Sequence, residues 1–116
     1  MKDQITFEEF LELEKKLDIR LGDVLAAERI EGSKKLLKLT VAFEPYDNEK
    51  IKTVVTNLGN KFSPEAFVPS RIAFIVNLAP SMICGVVSEA MICPWENFDG
   101  SVAIRTDDVA RGAKLF

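Results

Sequence analysis

The spacing of apolar and polar positions changes near residue 18. Up to that point Phe7, Phe10 and Leu11 recur at the spacing of one helical face, while most of the glutamates fall on other faces. Beyond it, short runs rich in β-branched and apolar residues alternate with turn-forming residues. The pattern therefore predicts one amphipathic helix at the N-terminus, followed by a small β-sheet.

The start of the helix is marked by a local signal in ITFEEFLELEKKL. Thr6 can accept a hydrogen bond as N-cap, and Glu9, three residues later, can return one in a capping box. Ile5 and Phe10 then occupy the positions of a hydrophobic staple. We expect the apolar face of this helix to dock on the core or on a partner.

Five runs downstream have the length and composition of strands: IRLGDVLAAERI, LLKLTVAF, IKTVVTN, RIAFIVN and VVSEAMI. Gly22 within the first run suggests a bulge or a sharp bend. SPEAF, with Ser63 as N-cap and Pro64 at the first helical position, predicts a short helix between the third and fourth strands. This order is that of the OB-fold, an all-β, five-stranded Greek-key barrel. One more alternating run, Val102 to Arg105, follows the fifth strand.

Length and composition fit a single domain over residues 1–116. The chain is 47% hydrophobic and 28% charged, the balance of one globular domain. We divide it into an N-terminal helix (1–17), the barrel (18–93) and a C-terminal extension (94–116) that either seals the barrel or forms a subunit interface. The longest uncharged run, 72–88, has seventeen residues including proline and glycine, whereas a membrane span needs about 20 mostly apolar residues. Because the N-terminus shows no signal or transit pattern, we expect a cytoplasmic location.

Residue types suited to catalysis or metal binding are sparse. The chain has no histidine, which removes the commonest general base and a common metal ligand. The spacing of Cys84 and Cys93 fits neither a CxxC redox pair nor a zinc knuckle, so two reduced and mostly buried thiols are expected. No glycine-rich phosphate loop or paired-carboxylate motif stands out. We therefore expect no cofactor and no enzymatic activity.

Charge is distributed unevenly along the chain. The formal net charge is −3, which by itself argues against a strong nucleic-acid binder. The first 14 residues carry five acidic side chains and one basic one, whereas residues 29–61 carry seven basic and four acidic ones. The middle of the chain is therefore its positive part, and it contains the cluster Lys34, Lys35 and Lys38.

Several segments resemble one known family. LDIRLGDVLAAERIEGSKKLLKLTV resembles the start of the tRNA-binding OB domain that lies at the C-terminus of many bacterial methionyl-tRNA synthetases and occurs elsewhere as a separate subunit or free-standing protein. KFSPEAFV resembles a connecting segment of this family, and VNLAPSMICGVVSEAM resembles its signature. IRTDDVARGAKLF resembles the tail by which free-standing members, including CsaA-type chaperone-like proteins, pair as homodimers. The resemblance extends from about Phe7 to Phe116.

The resemblance implies a non-catalytic module that recognises tRNA by shape and backbone charge, without reading an anticodon. An OB barrel suits this role because its strand face and loops can hold a nucleic-acid backbone between basic side chains. The loop lysines are the first candidates for phosphate contacts, and three further residues match the family signature at the lip of the expected site. The candidate tRNA-binding residues are Lys34, Lys35, Lys38, Lys61, Asn77, Ser88 and Met91.

The chain also departs from the family signature. Ala79 and Met82 replace two lysines, and Ala90 replaces a glycine. Because each neutralised phosphate adds to affinity, we expect weaker binding than the full signature gives, partly offset if a dimer presents two sites. The segment AFEPYDNEKIK is longer than the usual second connection and is expected to alter the surface near the basic face.

Two functions remain open at this point. The first is an accessory tRNA-binding protein, homodimeric, acting alone or in trans with an aminoacyl-tRNA synthetase. The second is a homodimeric, chaperone-like protein-interaction module with weak or lost RNA binding, which the acidic net charge and the residues Ala79, Met82 and Ala90 suggest. Ser88 and Met91 also have ordinary structural interpretations, a local backbone bond and core filling. Trp95 either stacks on a base or plugs the barrel end or an interface.

Overall fold

A computed structural model describes residues 1–44, 51–106 and 109–116. Its single α-helix, α1, spans Phe7–Lys16. The strands are β1 (Ile19–Arg29), β2 (Leu37–Ala42), β3 (Ile51–Thr56), β4 (Ser70–Ile75), β5 (Ser81–Ile83), β6 (Val86–Ser88), β7 (Met91–Ile92), β8 (Trp95–Glu96) and β9 (Val102–Ala103). Two short 3₁₀ helices span Leu58–Asn60 and Pro64–Phe67. Residues 45–50, which form most of the long connection between β2 and β3, lie outside the described residues. The expectation that this connection alters the surface near the basic face lies outside them as well.

The main sheet is a nearly closed antiparallel barrel with the strand order β3-β2-β1-β4-β7. The turn between β6 and β7 closes the gap to β3. There the N–H of Glu89 donates to the Thr53 carbonyl (2.9 Å), and the Glu89 carboxylate accepts from the Thr53 N–H (2.9 Å). The Ser88 hydroxyl accepts from the N–H of Val55 (3.0 Å). The OB-like, all-β fold predicted from the sequence is confirmed.

Large side chains from several strands and from the second 3₁₀ helix fill the interior of the barrel and form the core. Phe43, Phe67 and Phe74 are fully buried. The rings of Phe43 and Phe74 meet edge to face with centroids 5.5 Å apart, a favoured aromatic arrangement. Alternate residues of β2 point inward, as expected for a strand with one face on the core.

Gly22 does not mark the bulge of the first strand. The pairing of Gly22 with Ile72 is regular, and the register shift falls at Leu25 instead. A Cβ atom on Gly22 would lie 2.5 Å from Val41 Cγ1 and 2.6 Å from Phe43 Cε1. The glycine therefore permits close packing against the core, while the bulge expected at this position lies farther along β1.

The N-terminal helix begins as predicted, but its apolar face is not buried within this chain. Thr6 is the N-cap, and both hydrogen bonds of the capping box with Glu9 are present. None of the residues of α1 is buried, and the Phe10 ring contacts the Phe116 ring with a centroid distance of 5.8 Å.

In the described part of the chain, no helix has the length and apolar character to cross a membrane.

Two other elements differ in detail from the sequence prediction. The SPEAF segment forms a 3₁₀ helix whose N-cap, Ser63, makes no capping hydrogen bond through its side chain. The predicted fifth strand is divided into β6 and β7, and β5 pairs back on β6 as a hairpin. Cys84 and Gly85 form its two-residue turn with φ values of 48° and 80°, the signs required by a type I′ turn. The expectation of a buried thiol is therefore wrong for Cys84, which is exposed at the turn.

The C-terminal segment returns along β1. The N–H of Leu21 donates to the Ala113 carbonyl (3.0 Å), and the N–H of Leu115 donates to the Ile19 carbonyl (2.9 Å). Arg71 holds the same segment from β4, because its guanidinium bonds the Asp23 carboxylate (Nε to Oδ1, 2.7 Å) and the Val109 carbonyl (2.8 Å). Of the run predicted from Val102 to Arg105, only Val102–Ala103 is a strand.

Candidate nucleic-acid interface

The loop between β1 and β2 is fixed against the first 3₁₀ helix. Nη1 of Arg29 donates to the carbonyls of Lys34 (3.3 Å) and Gly59 (2.9 Å), and the N–H of Gly59 donates to the Lys35 carbonyl (2.8 Å). A Cβ atom on Gly59 would lie 2.6 Å from that Lys35 oxygen, so only glycine permits this approach. Lys61 directly follows the 3₁₀ helix. The fold thus places Lys34, Lys35 and Lys61 at the same end of the barrel.

These three lysine side chains are exposed, so their ammonium groups are accessible to phosphates. Acidic groups share the surface with them. Hydrogen bonds from its own backbone and from Ser63, together with the nearby charge of Arg29, hold the pKa of the Glu65 carboxyl below its usual range. Glu65 is therefore ionised at neutral pH and makes the potential near Arg29 less positive.

Lys38 lies on β2, one strand away from Ser88. Its Nζ is 3.5 Å from Oε1 of Glu28, the cross-strand neighbour on β1. Such an exposed ion pair stabilises a fold by at most about 1 kcal/mol, so a phosphate can replace the carboxylate at little cost. On the other side, Lys38 pairs with Val55, whose N–H donates to Ser88. Lys38 and Ser88 thus flank Val55.

The β5–β6 hairpin presents an apolar pair next to Ser88. Met82 and Val87 are direct cross-strand partners, with 67% and 45% of their surface exposed. Residues 76–91 contain one charged side chain, Glu89, and its carboxylate accepts the hydrogen bond from the backbone of Thr53. The hairpin therefore has no charge of its own with which to hold a phosphate.

Asn77 and Met91 lie at the opposite end of the barrel from the basic loop. Met91 pairs with Ile75 at the end of β4, near the start of β1. The amide of Asn77 accepts from the N–H of Asp18 (3.0 Å) and donates to the Lys16 carbonyl (2.7 Å), which ties the end of α1 to the barrel. The length of β1, roughly 30 Å at about 3.3 Å per residue, separates this end from the lysine cluster.

Ser88 is buried, and its hydroxyl is committed to the backbone, accepting from Val55 and donating to the Ala90 carbonyl (3.1 Å). Met91, by contrast, is about half exposed. The structure thus brings Lys34, Lys35 and Lys61 together and places Lys38 nearby. It does not bring Asn77 or Met91 to them.

Three contributors to the site carry no clear signal in the sequence. Arg29 and Gly59 shape the basic loop from positions about thirty residues apart, and Glu89 closes the barrel through Thr53, thirty-six residues away. Gly59, within TNLGNK, is the only local sign in the sequence that two backbone segments approach each other closely here. The contacts themselves follow from the barrel topology, which brings distant segments together.

A second surface is an apolar groove between β1, β4 and the C-terminal segment. Its volume is about 290 Å³, and its walls include Ile19, Leu21, Trp95 and Leu115. Trp95 remains 64% exposed. Cys93 also faces the groove, and burial raises the pKa of its thiol, which therefore stays protonated at neutral pH.

The chain is similar to known proteins over most of its length. A family described as "Putative tRNA binding domain" matches residues 19–114. A methionine–tRNA ligase of Phocaeicola vulgatus is 43% identical over 105 residues, which cover 90% of this chain but 14% of the ligase. The chain therefore spans a small part of that relative's length.

Two solved structures resemble the chain over nearly its full length. A MetRS related protein from Pyrococcus horikoshii superposes with a TM-score of 0.79 at 31% identity, covering 99% of this chain and 100% of the other. The CsaA chaperone of Bacillus anthracis superposes with a TM-score of 0.74, covering 98% and 100% of the two chains. At 23% identity, the second likeness supports the fold alone.

Proposed function

The chain belongs to the tRNA-binding domain family matched over residues 19–114, and on this premise we propose that it binds tRNA through the basic end of its barrel. The observation that carries the proposal is the cluster of exposed lysines, Lys34, Lys35 and Lys61, held together by the bonds of Arg29 and Gly59. Because the backbone of the loop is already fixed, only the lysine side chains lose conformational freedom when they meet phosphates. Lys38 extends the cluster along β2, where a phosphate can replace Glu28.

In this proposal recognition rests on backbone charge and shape. Lysine ammonium groups act as point charges on phosphate oxygens and carry no base sequence information. The module itself is non-catalytic, and its contribution is to hold tRNA. Since Ala79 and Met82 stand where the family signature has lysines, the chain makes fewer phosphate contacts, and its affinity is correspondingly more modest.

The C-terminal extension, residues 94–116, is proposed to pair two copies of the chain. Support comes from apolar side chains of this extension that are more than half exposed: Trp95 and Leu115, which line the groove, and Phe98 and Phe116 outside it. Isolated exposed apolar residues are ordinary, but several on one short segment, two of them in a groove, are typical of an interface. A homodimer presents two basic ends, and binding at one raises the effective concentration at the other.

The cellular setting is proposed from the relatives. Identity to methionine–tRNA ligases supports a role beside an aminoacyl-tRNA synthetase, either in trans or as part of one assembly. The cytoplasm, where tRNA is aminoacylated, is the compartment that this role requires. Both statements concern a chain that spans 14% of the ligase, so they are tested separately from RNA binding itself.

Paired substitution of the two loop lysines tests the site. Lys34→Ala with Lys35→Ala is expected to raise the Kd for bulk tRNA about tenfold and to lower the slope of log K against log salt by about 1.5, because two phosphate contacts are lost. The measurement is fluorescence anisotropy at several salt concentrations. The matched control is Lys15→Ala with Lys16→Ala, which removes two adjacent lysines from α1.

If both double variants bind tRNA like the unmodified chain, the site lies elsewhere. If both weaken binding equally, the effect reflects net charge alone. A second candidate function, capture of an apolar protein segment, is favoured by the groove beside Trp95. It predicts that binding of an apolar peptide depends on Trp95 and is insensitive to both lysine pairs.

A further inference from the structure

We propose that the β5–β6 hairpin is a base-binding prong, on which Met82 and Val87 together hold the face of one unpaired nucleobase. The RNA taken by the site is then single-stranded at the point where it crosses the hairpin. This inference rests on the proposed function and deepens it, because it assigns to the same site the class of RNA segment that it takes.

The shape of the hairpin suits one base. Met82 and Val87 face each other across the hairpin, and cross-strand neighbours have Cβ atoms about 5 Å apart. Their combined surface is comparable with the face of one nucleobase. The type I′ turn at Cys84 and Gly85 matches the twist of the two strands and holds them in register.

The chemistry of the pair also suits a base. The methionine thioether is polarisable and makes favourable contacts with aromatic rings, while the valine supplies a stiff apolar support. The one charged side chain of residues 76–91 is Glu89, which is engaged with Thr53. A base therefore meets an apolar surface without displacing a charge, whereas a phosphate finds no cation on the hairpin.

Lys38 supplies the neighbouring phosphate contact. Lys38 and Ser88 flank Val55, and Val87 directly precedes Ser88. Adding one cross-strand step, the Ser88 hydrogen bond and one Cα–Cα step places Val87 within about 16 Å of Lys38. The lysine side chain reaches across part of this distance, so two or three nucleotides are enough to connect a base on Val87 with a phosphate at the Lys38 ammonium group. An RNA strand can thus place a base on the hairpin and a phosphate at Lys38.

A nucleobase fits the hairpin better than a protein does. A stable protein interface buries about 800 Å² on each partner, far more than two side chains supply. The nearby cations, Lys38 and the Lys34–Lys35 pair, are complementary to an anionic chain that also has apolar faces, and RNA combines the two. Single-stranded nucleic acids are commonly bound in this way, with cations along the backbone and a stacking surface for the bases.

The test compares two RNAs that differ only in their bases. One is a fluorescein-labelled oligouridylate of about 12 nucleotides, whose bases stack weakly on each other; the other has the same number of phosphates but abasic sites throughout. We expect the unmodified chain to bind the oligouridylate about fivefold to tenfold more tightly than the abasic strand. In Met82→Ala this ratio falls to about twofold, while affinity for the abasic strand stays the same.

Leu25→Ala is the matched control, because Leu25 is similarly exposed but lies at the bulge of β1. It should preserve the ratio found for the unmodified chain. Circular dichroism verifies that both variants are folded, and Met82→Leu, which keeps an apolar surface, is expected to restore most of the ratio.

Equal affinities of the unmodified chain for the two oligonucleotides, with tRNA still bound, would overturn the prong and leave the proposed function intact. The same conclusion follows if Met82→Ala no longer binds an apolar peptide but keeps the affinity ratio of the oligouridylate to the abasic strand. If neither tRNA nor the oligonucleotides bind at low salt, the proposed function fails as well.

Discussion

At the scale of single residues, Glu89 replaces a strand partner for β3. Its N–H donates to the Thr53 carbonyl and its carboxylate accepts from the Thr53 N–H, each at 2.9 Å. Side chain and backbone together thus satisfy both polar groups of one edge residue, as a neighbouring strand would.

The sequence could not predict this role for Glu89. The capping box of Thr6 and Glu9 was predictable because its partners are three residues apart. Thr53 and Glu89 are thirty-six residues apart, and only the closure of the barrel makes them neighbours. The ordinary interpretation of Ser88, a bond to the local backbone, matches its hydrogen bond to the Ala90 carbonyl, whereas its other partner, Val55, is thirty-three residues away.

Removing the Glu89 side chain should loosen this closure. Glu89→Ala is expected to lower the free energy of unfolding by about 1 kcal/mol, because the Thr53 N–H loses its acceptor. Urea denaturation followed by circular dichroism measures the change. Glu31→Ala, in the exposed β1–β2 loop, is the control and should be close to neutral. A Glu89→Ala variant as stable as the control would contradict the assigned role.

Among the secondary-structure elements, local signals in the sequence predicted where helices and strands begin, but not which segments pack against them. The N-cap of α1 follows from its capping residues, and the positions of the main strands along the chain follow from alternation. The β5–β6 hairpin was not predicted, because its turn contains Cys84 in a left-handed conformation that glycine or asparagine usually adopts. The continuous apolar run therefore concealed a turn between two strands.

The first 3₁₀ helix positions the basic loop through Gly59. In Gly59→Ala the new Cβ atom would lie 2.6 Å from the Lys35 carbonyl, so the loop must shift. We expect a threefold to tenfold weaker affinity for tRNA, with a loss of stability of about 1–3 kcal/mol. Anisotropy and urea denaturation measure the two effects.

Asn60→Ala is the control for this substitution, because Asn60 belongs to the same 3₁₀ helix and is exposed. It should leave both quantities nearly unchanged. The positioning role of Gly59 would be refuted by a Gly59→Ala variant that is destabilised yet binds tRNA with unchanged affinity and salt dependence.

At the scale of the whole molecule, charge and apolar surface lie on different parts of the barrel. The lysine cluster lies beyond the end of β1, whereas the groove contacts its beginning through Ile19 and Leu21. Pairing two copies through the groove would therefore leave both basic ends accessible. The resemblance to a known family predicted the fold and the family, but the position of the groove depends on how residues 109–116 return along β1.

Trp95 provides the sharpest test of the proposed dimer. Trp95→Glu introduces a charge beside the groove and is expected to raise the Kd of dimerisation at least a hundredfold, because aromatic anchors dominate interface energies. Light scattering coupled to size exclusion measures the mass. Leu25→Glu places the same charge at an exposed apolar site away from the groove and should remain dimeric. If Trp95→Glu elutes with the same mass as the unmodified chain, the groove is not the interface.

We propose above all that this chain binds tRNA through a small number of phosphate contacts. The most direct measurement is the affinity of the unmodified chain for bulk tRNA from low to near-physiological salt, with duplex DNA of similar length as the control. We expect tighter binding to tRNA than to DNA and a log–log salt slope of about −3 to −4, from four lysines in each copy. Absence of tRNA binding at low salt, or equal affinity for the two nucleic acids, would rule out this mode of binding.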